Sequence, residues 1–372
     1  MTRSFLIKVP ASSANIGPGY DVLGVGLALF LELEVTVDSS KASETNKDPN
    51  NCLLTYSEDS EGYGNVPLRS DANLITRTAL YVLRCSNIRK FPLGTKVHVR
   101  NPIPLGRGLG SSGAAVVAGV MLGNEIGQLG FSKQRMLDFC LMIERHPDNI
   151  TAAMMGSFCG SFLRALTPHE VERREIPLAE VLPDPSGGED TGLVPPLPPT
   201  DIGRHVKYNW NPKIKCIAII PQFELSTADS RSVLPKAYTT EDLVFNLQRL
   251  AVLTTALTLD PPNPDLIYPA MQDRVHQPYR KILIPGLTEI LQSVVPSTHK
   301  GLLGICLSGA GPTILALATE NFDDIANEII NTFDKNGVQC TWKLLDVARD
   351  GATVEPLPVN NSSNVVTQEN LE

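Results

Sequence analysis

The stretch from Asn101 to Gly119, NPIPLGRGLGSSGAAVVAG, constrains the fold more than any other part of the chain. Four glycines and two serines (Gly106, Gly108, Gly110, Ser111, Ser112, Gly113) separate an alternating segment from an apolar run of small residues. Glycine takes positive φ freely and lets backbone approach a ligand closely. A glycine turn that opens a helix leaves main-chain N–H groups pointing outward at the positive end of the dipole. Such an end binds phosphate. Ser111 or Ser112 adds a hydroxyl for a phosphate oxygen or Mg²⁺. The lysine of G-x-x-x-x-G-K-[ST] is absent. GLGSSG, Gly108 to Gly113, has the G-x-G-x-x-G spacing, but no acidic residue at a following strand end supports a dinucleotide site. By composition alone, a glycine-rich turn before a tightly packed helix fits as well as a phosphate loop.

Around this stretch the pattern interleaves strands and helices. Residues 5–9 and the alternating residues 27–37 predict strands. Between them PASSANIGPGYDVLG reads as a loop, because glycine and proline punctuate it. Residues 41–63 read as a polar surface loop or hairpin. Asp71 is placed to cap a helix over ANLITRTALYVL. Residues 96–100 predict a strand feeding the glycine loop. Residues 131–145 predict a helix capped by Ser132, ending before His146-Pro147-Asp148-Asn149, since the residue before a proline leaves the helical region.

The proline-rich stretch at 177–212 reads as an inserted loop or linker. Beyond it come a strand at 214–220, a short helix capped by Ser226 or Thr227, and a longer helix marked by Leu243, Leu247, Leu250 and Leu257. A buried strand at 302–307 enters a second glycine loop at 308–313. A strand or helix over ILALA, a helix at 322–333 and a strand at 338–345 follow. From about residue 356 the tail is polar and is expected to be disordered. The fold class is α+β in two parts.

Composition narrows the function classes. A net charge of −8 and a pI near 5.4 argue against broad nucleic-acid or anionic-membrane binding. Seven scattered cysteines without C-x-x-C suit a reducing compartment. The histidines lack zinc spacing. No apolar run reaches the roughly 18 residues of a membrane span, and the N-terminal apolar run is too short for a signal peptide. The expected location is cytoplasmic.

Three loops, at 10–24, 102–115 and 307–313, resemble in order and lettering the three motifs of the GHMP family of small-molecule kinases. The middle one, Pro104 to Ala115, is similar to the family's ATP phosphate loop, PxxxGLGSS followed by small residues, with Gly113 where alanine is commoner. Within the family, PASSANIGPGYDVLG, HPDN and STADSR resemble the homoserine kinases, and the resemblance covers nearly the whole chain. It implies a two-domain α+β fold. An N-terminal nucleotide domain would span 1–165, an insertion or linker 166–212, a ferredoxin-like C-terminal domain 213–355 and a tail 356–372, with the active site in the cleft. The implied reaction transfers the ATP γ-phosphate to the hydroxyl of L-homoserine, giving O-phospho-L-homoserine for threonine synthesis. The implied cofactors are ATP and Mg²⁺, and the implied assembly is a homodimer with neither nucleic-acid nor membrane partners.

Residue by residue, the resemblance gives the substrate ammonium to Asn15 and Asp21. The carboxylate falls to Arg231 and Arg280, with Thr227 and the Gly309 backbone beside them. His146 and Asn149 match the positions near the hydroxyl. Pro104, Leu105, Gly106, Arg107, Gly108, Leu109, Gly110, Ser111, Ser112, Gly113 and Ala114 match the phosphate loop. Ser112 and Glu144 match the Mg²⁺ ligands, and Asn73 the adenine side. The implied catalytic set is Asn149, Ser112 and Glu144. Read singly, Asn15 and Asp21 also suit turn residues, the arginines suit solvated surface, and His146 suits a helix end.

Phosphoryl transfer asks mostly for positioning and charge stabilisation. A carboxylate holding an ammonium is a poor proton acceptor. The expectation is therefore direct transfer without a dedicated base, with Asn149 orienting the hydroxyl. The paired arginines and HPDN speak against the second reading, a mevalonate-type kinase of the same family, since mevalonate has no ammonium to meet Asp21. A sensor that binds ATP and an amino acid without transfer has no need of an intact loop with Ser112 and Glu144.

Overall fold

Two long antiparallel strands, β1 (Thr2–Ala14) and β2 (Leu23–Asp38), form the spine of the first sheet. Phe5, Ile7, Val9 and Ala11 alternate into the core from β1, which is the period-2 pattern of a sheet with one face buried. The other strands are β3 (Cys52–Tyr56), β4 (Thr95–Arg100), β5 (Phe158–Leu163), β6 (Gly203–Tyr208) and, returning from the end of the chain, β11 (Thr353–Pro356). Their order is β11-β1-β2-β4-β3, with β5 pairing the start of β2 and β6 pairing β5. The computed structural model describes residues 2–171, 192 and 194–358.

The second sheet is antiparallel, in the order β10-β7-β9-β8, from β7 (Lys215–Pro221), β8 (Leu302–Leu307), β9 (Ile314–Ala318) and β10 (Cys340–Leu345). Its two faces feed two cores. Cys216, Ala218 and Ile220 pack into the main cluster shared with the first sheet. Ile217 and Ile219 pack under the helices Leu287–Ser293 and Phe322–Lys335. A strand covered on both faces reads as one apolar run, which is why KIKCIAII lacks alternation.

Two helices set the phosphate loop. The helix Ser111–Gly127 is apolar on nearly every side, as a buried helix must be. It packs on the helix Leu74–Cys85 through Gly119 and Gly123. A Cβ at Gly119 would overlap the Ile75 carbonyl, and one at Gly123 would lie 2.8 Å from Val82 Cβ.

Five expectations are corrected. β1 continues through Pro10, Ala11, Ser12, Ser13 and Ala14, so the first motif is half strand. Small, buried side chains carry it there, and the glycine–proline turn begins only at Asn15. The polar stretch 41–63 contains β3, which pairs parallel with β4. Part of the proline-rich stretch is β6, hydrogen-bonded to β5 from Phe158↔Tyr208 to Leu163↔Gly203. The segment before the tail forms β11, with Phe5 opposite Pro356. The helix cap is Asn73, whose side chain accepts from Ile75 N, while Asp71 pairs with Arg69. The expected disordered tail beyond residue 358, and residues 172–191 and 193 around the expected insertion, lie outside the described residues. Among the described residues, no helix is long and apolar enough to cross a membrane.

Candidate active site

Gly106, Gly108 and Gly110 all hold positive φ, at 62°, 81° and 69°. Gly110 is the N-cap of the helix Ser111–Gly127 and offers no side-chain acceptor. The first-turn N–H groups of that helix therefore stay available to an anion. A Cβ at Gly110 would overlap Ser12 Oγ, and one at Gly108 would overlap the Ser308 carbonyl. At Gly113 the nearest atom would be 3.5 Å away, so alanine fits there. The C-terminal half clasps the loop. Leu225 N donates to the Gly106 carbonyl at 3.0 Å, Thr313 N to that of Arg107 at 3.4 Å and Ser308 Oγ to that of Gly108 at 2.6 Å.

The helix Pro147–Met155 begins at HPDN, with His146 at its N-cap and Pro147 in its first turn, where a missing N–H is harmless. Ser12 Oγ donates to Asn149 Oδ1 at 2.9 Å. That bond fixes the amide, and its NH₂ has no partner among the described residues. Asp148 is buried, and its Oδ1 accepts from Asn149 N at 2.9 Å. Burial first, then the negative charge of Asp21, raise its carboxyl to about 7, against the lowering effects of that hydrogen bond and of Arg231.

A second cluster adjoins the first through Gly309. Its amide donates to the Ala14 carbonyl, and its own carbonyl accepts from Asn15 Nδ2 and Arg280 Nη1, each at 2.9 Å. Asn15 Oδ1 accepts from Asp21 N at 2.9 Å, and the Asp21 carboxylate accepts from Arg231 Nη2 at 2.7 Å. The guanidinium carbons of Arg231 and Arg280 lie 5.4 and 5.2 Å from the centre of the Tyr20 ring, within cation–π range. Among the described residues Arg280 is the largest fully buried side chain, and no carboxylate lies within ion-pair distance of it.

His276 orders this cluster. Its Nε2 faces the Gly17 carbonyl at 3.0 Å, and its Nδ1 faces Arg280 Nη1 at 3.3 Å. A carbonyl only accepts and a guanidinium only donates, so the proton sits on Nε2 and the ring is neutral. Burial, its largest influence, also lowers the His276 pKa, against the raising effect of Asp273.

Comparison with known proteins supplies the family. Residues 73–157 match the family described as GHMP kinases N terminal domain, and residues 260–335 match GHMP kinases C terminal. The homoserine kinase of Saccharomyces cerevisiae is 85% identical over 95% of this chain and 99% of its own length. The chain belongs to the homoserine kinases of the GHMP family. The homoserine kinase of Candida albicans is 59% identical over 95% of this chain and 98% of that one. A crystal structure of homoserine kinase from Cytophaga hutchinsonii shares the fold, with a TM-score of 0.70 at 23% identity, over 95% of this chain and 98% of that one.

Within the GHMP frame, Glu144 ends the helix Lys133–Ile143, and its Oε2 lies 3.6 Å from where a Gly113 Cβ would stand. It thus borders the turn that carries the exposed Ser112. A carboxylate and a hydroxyl beside a phosphate loop are the hard oxygen donors Mg²⁺ takes, with water completing the shell. Thr227 is the exposed first residue of the helix Thr227–Ser232. Asn73 is consumed by the fold: Oδ1 caps its helix, and Nδ2 donates to Tyr56 Oη and to the Pro67 carbonyl.

Ser12, Ser308, Tyr20, Asp148 and His276 were not singled out from the sequence. Ser12, Tyr20, Asp148 and Ser308 lie inside the motifs, and their position there was the only signal. A cavity of about 760 Å³ lined by Lys207, Trp210, Lys215, Asp346 and Arg349 takes none of its lining residues from the three motifs. The site is assigned by the motifs' convergence, not by cavity size.

Proposed function

We propose that the chain transfers the γ-phosphoryl group of ATP to the side-chain hydroxyl of L-homoserine, giving O-phospho-L-homoserine and ADP for threonine biosynthesis. The observation that carries this reading is one continuous chain of contacts. It runs from Gly110 and Ser12 at the phosphate loop, through Gly309, to the Asp21–Arg231 pair and Arg280. One end suits a nucleotide's phosphates and the other a zwitterion.

Asp21 receives the ammonium. Arg231 and the carboxylate-free Arg280 receive the carboxylate, as planar guanidinium forks match carboxylates. Thr227 and His146 flank the substrate. The loop from Pro104 to Ala114 holds the phosphates by main-chain N–H groups. Asn149 donates its NH₂ to the acceptor oxygen, held in that orientation by Ser12. Ser112 and Glu144 hold Mg²⁺, which when bound neutralises charge on the phosphates. In this reading the chain works as a homodimer in the cytoplasm. The resemblance supports the dimer, and seven free cysteines suit a reducing compartment.

The test is a coupled ADP-release assay with Mg²⁺, offering L-homoserine, D-homoserine, L-threonine, mevalonate and galactose in parallel. Turnover confined to L-homoserine is expected. Turnover with mevalonate would remove the roles given to Asp21, Arg231 and Arg280. Light scattering of the pure protein tests the dimer.

A further inference from the structure

We propose that His276 is the positioning residue that makes the amino-acid site demand a carboxylate, by holding Arg280 so that its Nη2 is left for the substrate. The proposal rests on the homoserine kinase reading and deepens it, naming a specificity residue that touches no substrate atom.

The donors of Arg280 can be counted. A guanidinium carries five N–H donors and no acceptor. Nε donates to the Ser230 carbonyl at 3.3 Å. Nη1 donates to the Gly309 carbonyl at 2.9 Å and meets His276 Nδ1 at 3.3 Å. Those three acceptors occupy Nε and both hydrogens of Nη1. Nη2 has no partner among the described residues, and it is not sealed from solvent. The rest of the side chain is buried, with its guanidinium carbon 5.2 Å from the centre of the Tyr20 ring. A guanidinium held at two of its nitrogens presents the third, so a substrate carboxylate meets Arg280 at Nη2.

Of the three acceptors, His276 Nδ1 is the one that a side chain supplies. His276 stands one helical turn before Arg280, whose amide donates to the His276 carbonyl at 3.1 Å. Side chains four apart share a helix face. His276 is the N-cap of the helix Gln277–Arg280, yet its ring makes no capping bond and turns inward instead. The ring is held from several sides. Nε2 donates to the Gly17 carbonyl at 3.0 Å, and the ring stacks on Tyr20 with centroids 5.4 Å apart. Asp273 Oδ2 lies 3.5 Å from Nε2 and accepts the main-chain N–H groups of His276 and Gln277. The Gly17 carbonyl and the Asp273 carboxylate both favour the proton on Nε2, which leaves Nδ1 bare toward Arg280. Without that bare nitrogen, one buried Nη1 hydrogen has no acceptor. The guanidinium is then free to turn and engage Nη2 inside the fold. An amino alcohol without a carboxylate offers nothing to Nη2, so it is little affected.

The experiment compares His276→Gln with His276→Asn. The Asn amide reaches the place of Nδ1 and keeps an acceptor for Arg280. The Gln amide reaches the place of Nε2 and keeps a donor for Gly17, but takes the acceptor from Arg280. KM for L-homoserine, kcat and the competitive inhibition constant of 3-aminopropan-1-ol are measured for each beside thermal melts. His276→Gln should raise KM for L-homoserine about tenfold, with the inhibition constant of the amino alcohol moving less than about twofold and kcat less than about threefold. His276→Asn should keep the preference for L-homoserine within about threefold of wild type. If the two ligands weaken together in His276→Gln, or neither moves, His276 serves only the fold and the proposal is overturned. If His276→Gln fails to fold, ¹⁵N NMR of the wild-type His276 ring carries the test. Nδ1 should read as an unprotonated nitrogen that shifts on adding L-homoserine and not on adding 3-aminopropan-1-ol. A proton on Nδ1, or equal shifts with both ligands, would overturn the proposal. Wild type without turnover of L-homoserine would overturn the kinase reading itself, whereas an active wild type with an unmoved preference in His276→Gln overturns only the role of His276.

Discussion

Arg231 Nη2 donates to Asp21 Oδ1 at 2.7 Å, so the two charges assigned to opposite ends of the amino acid hold each other. The side chains are 29% and 33% exposed, and a pair that open to water is worth about 0–1 kcal/mol. A zwitterion can therefore replace one weak pair with two. A ligand carrying one charge makes one pair where the zwitterion makes two.

The first prediction follows from that exchange. γ-Hydroxybutyrate, without the ammonium, and 3-aminopropan-1-ol, without the carboxylate, should each bind at least about tenfold more weakly than L-homoserine, a cost of roughly 1.4 kcal/mol. Asp21→Asn should raise KM for L-homoserine by about the same factor with kcat largely kept. A variant that binds normally but loses kcat would move Asp21 into the chemical step.

Two glycines in one loop should behave oppositely. Gly110→Ala places a Cβ on Ser12 Oγ at a positive φ, which strains the loop by about 1–3 kcal/mol. It also displaces the hydroxyl that fixes Asn149. Both melting temperature and kcat should fall. Gly113→Ala, with no atom nearer than 3.5 Å and an ordinary helical backbone, should leave kcat within about twofold and gain a few tenths of a kcal/mol in stability. Parallel melts and ATP titrations check both.

Arg280→Lys keeps the charge but loses the planar fork that reaches Ser230, Gly309 and His276. Buried acceptors left without donors cost about 1–3 kcal/mol each. The variant should melt several degrees lower and show a raised KM for L-homoserine, with KM for ATP nearly unchanged. An unchanged homoserine KM would separate Arg280 from carboxylate binding.

Asp148 also predicts a pH signature in stability. Its carboxyl is raised to about 7 in the fold, against about 3.9 in an unfolded chain. Between those values the folded state holds more protons, so stability falls as pH rises toward 7 and then levels off. Asp148→Asn removes that loss. It should gain on wild type by roughly 2–4 kcal/mol between about pH 4 and 8. The neutral His276 is common to both proteins and cancels. Urea melts at both ends of the range check this, and parallel curves would show that burial does not perturb Asp148.

The glycine loop, the short helix behind Ser226 and the apolar strand of KIKCIAII were legible because each depends on local pattern: positive-φ glycine, a capping hydroxyl, continuous hydrophobicity. What escaped depends on distant partners. Ser12 and Ser13 look like loop residues until β2 pairs with them. Cys52–Tyr56 is too short and too flanked by polar residues to stand out, and it becomes a strand through β4. Thr353–Pro356 pairs with the other end of the chain. At the site, Asp21, Arg231 and Gly309 were visible through lettering, whereas their mutual pairing was not. Asp148 was quoted as a letter of HPDN, yet its raised carboxyl pKa rests on burial and on Asp21, which spacing does not reveal.

The most direct measurement is ³¹P NMR of the purified protein with Mg²⁺, ATP and L-homoserine. The predicted result is a phosphate monoester resonance that grows in step with ADP and is absent when D-homoserine replaces the L isomer. Inorganic phosphate appearing in its place, or an unchanged ATP spectrum, would contradict phosphoryl transfer to homoserine.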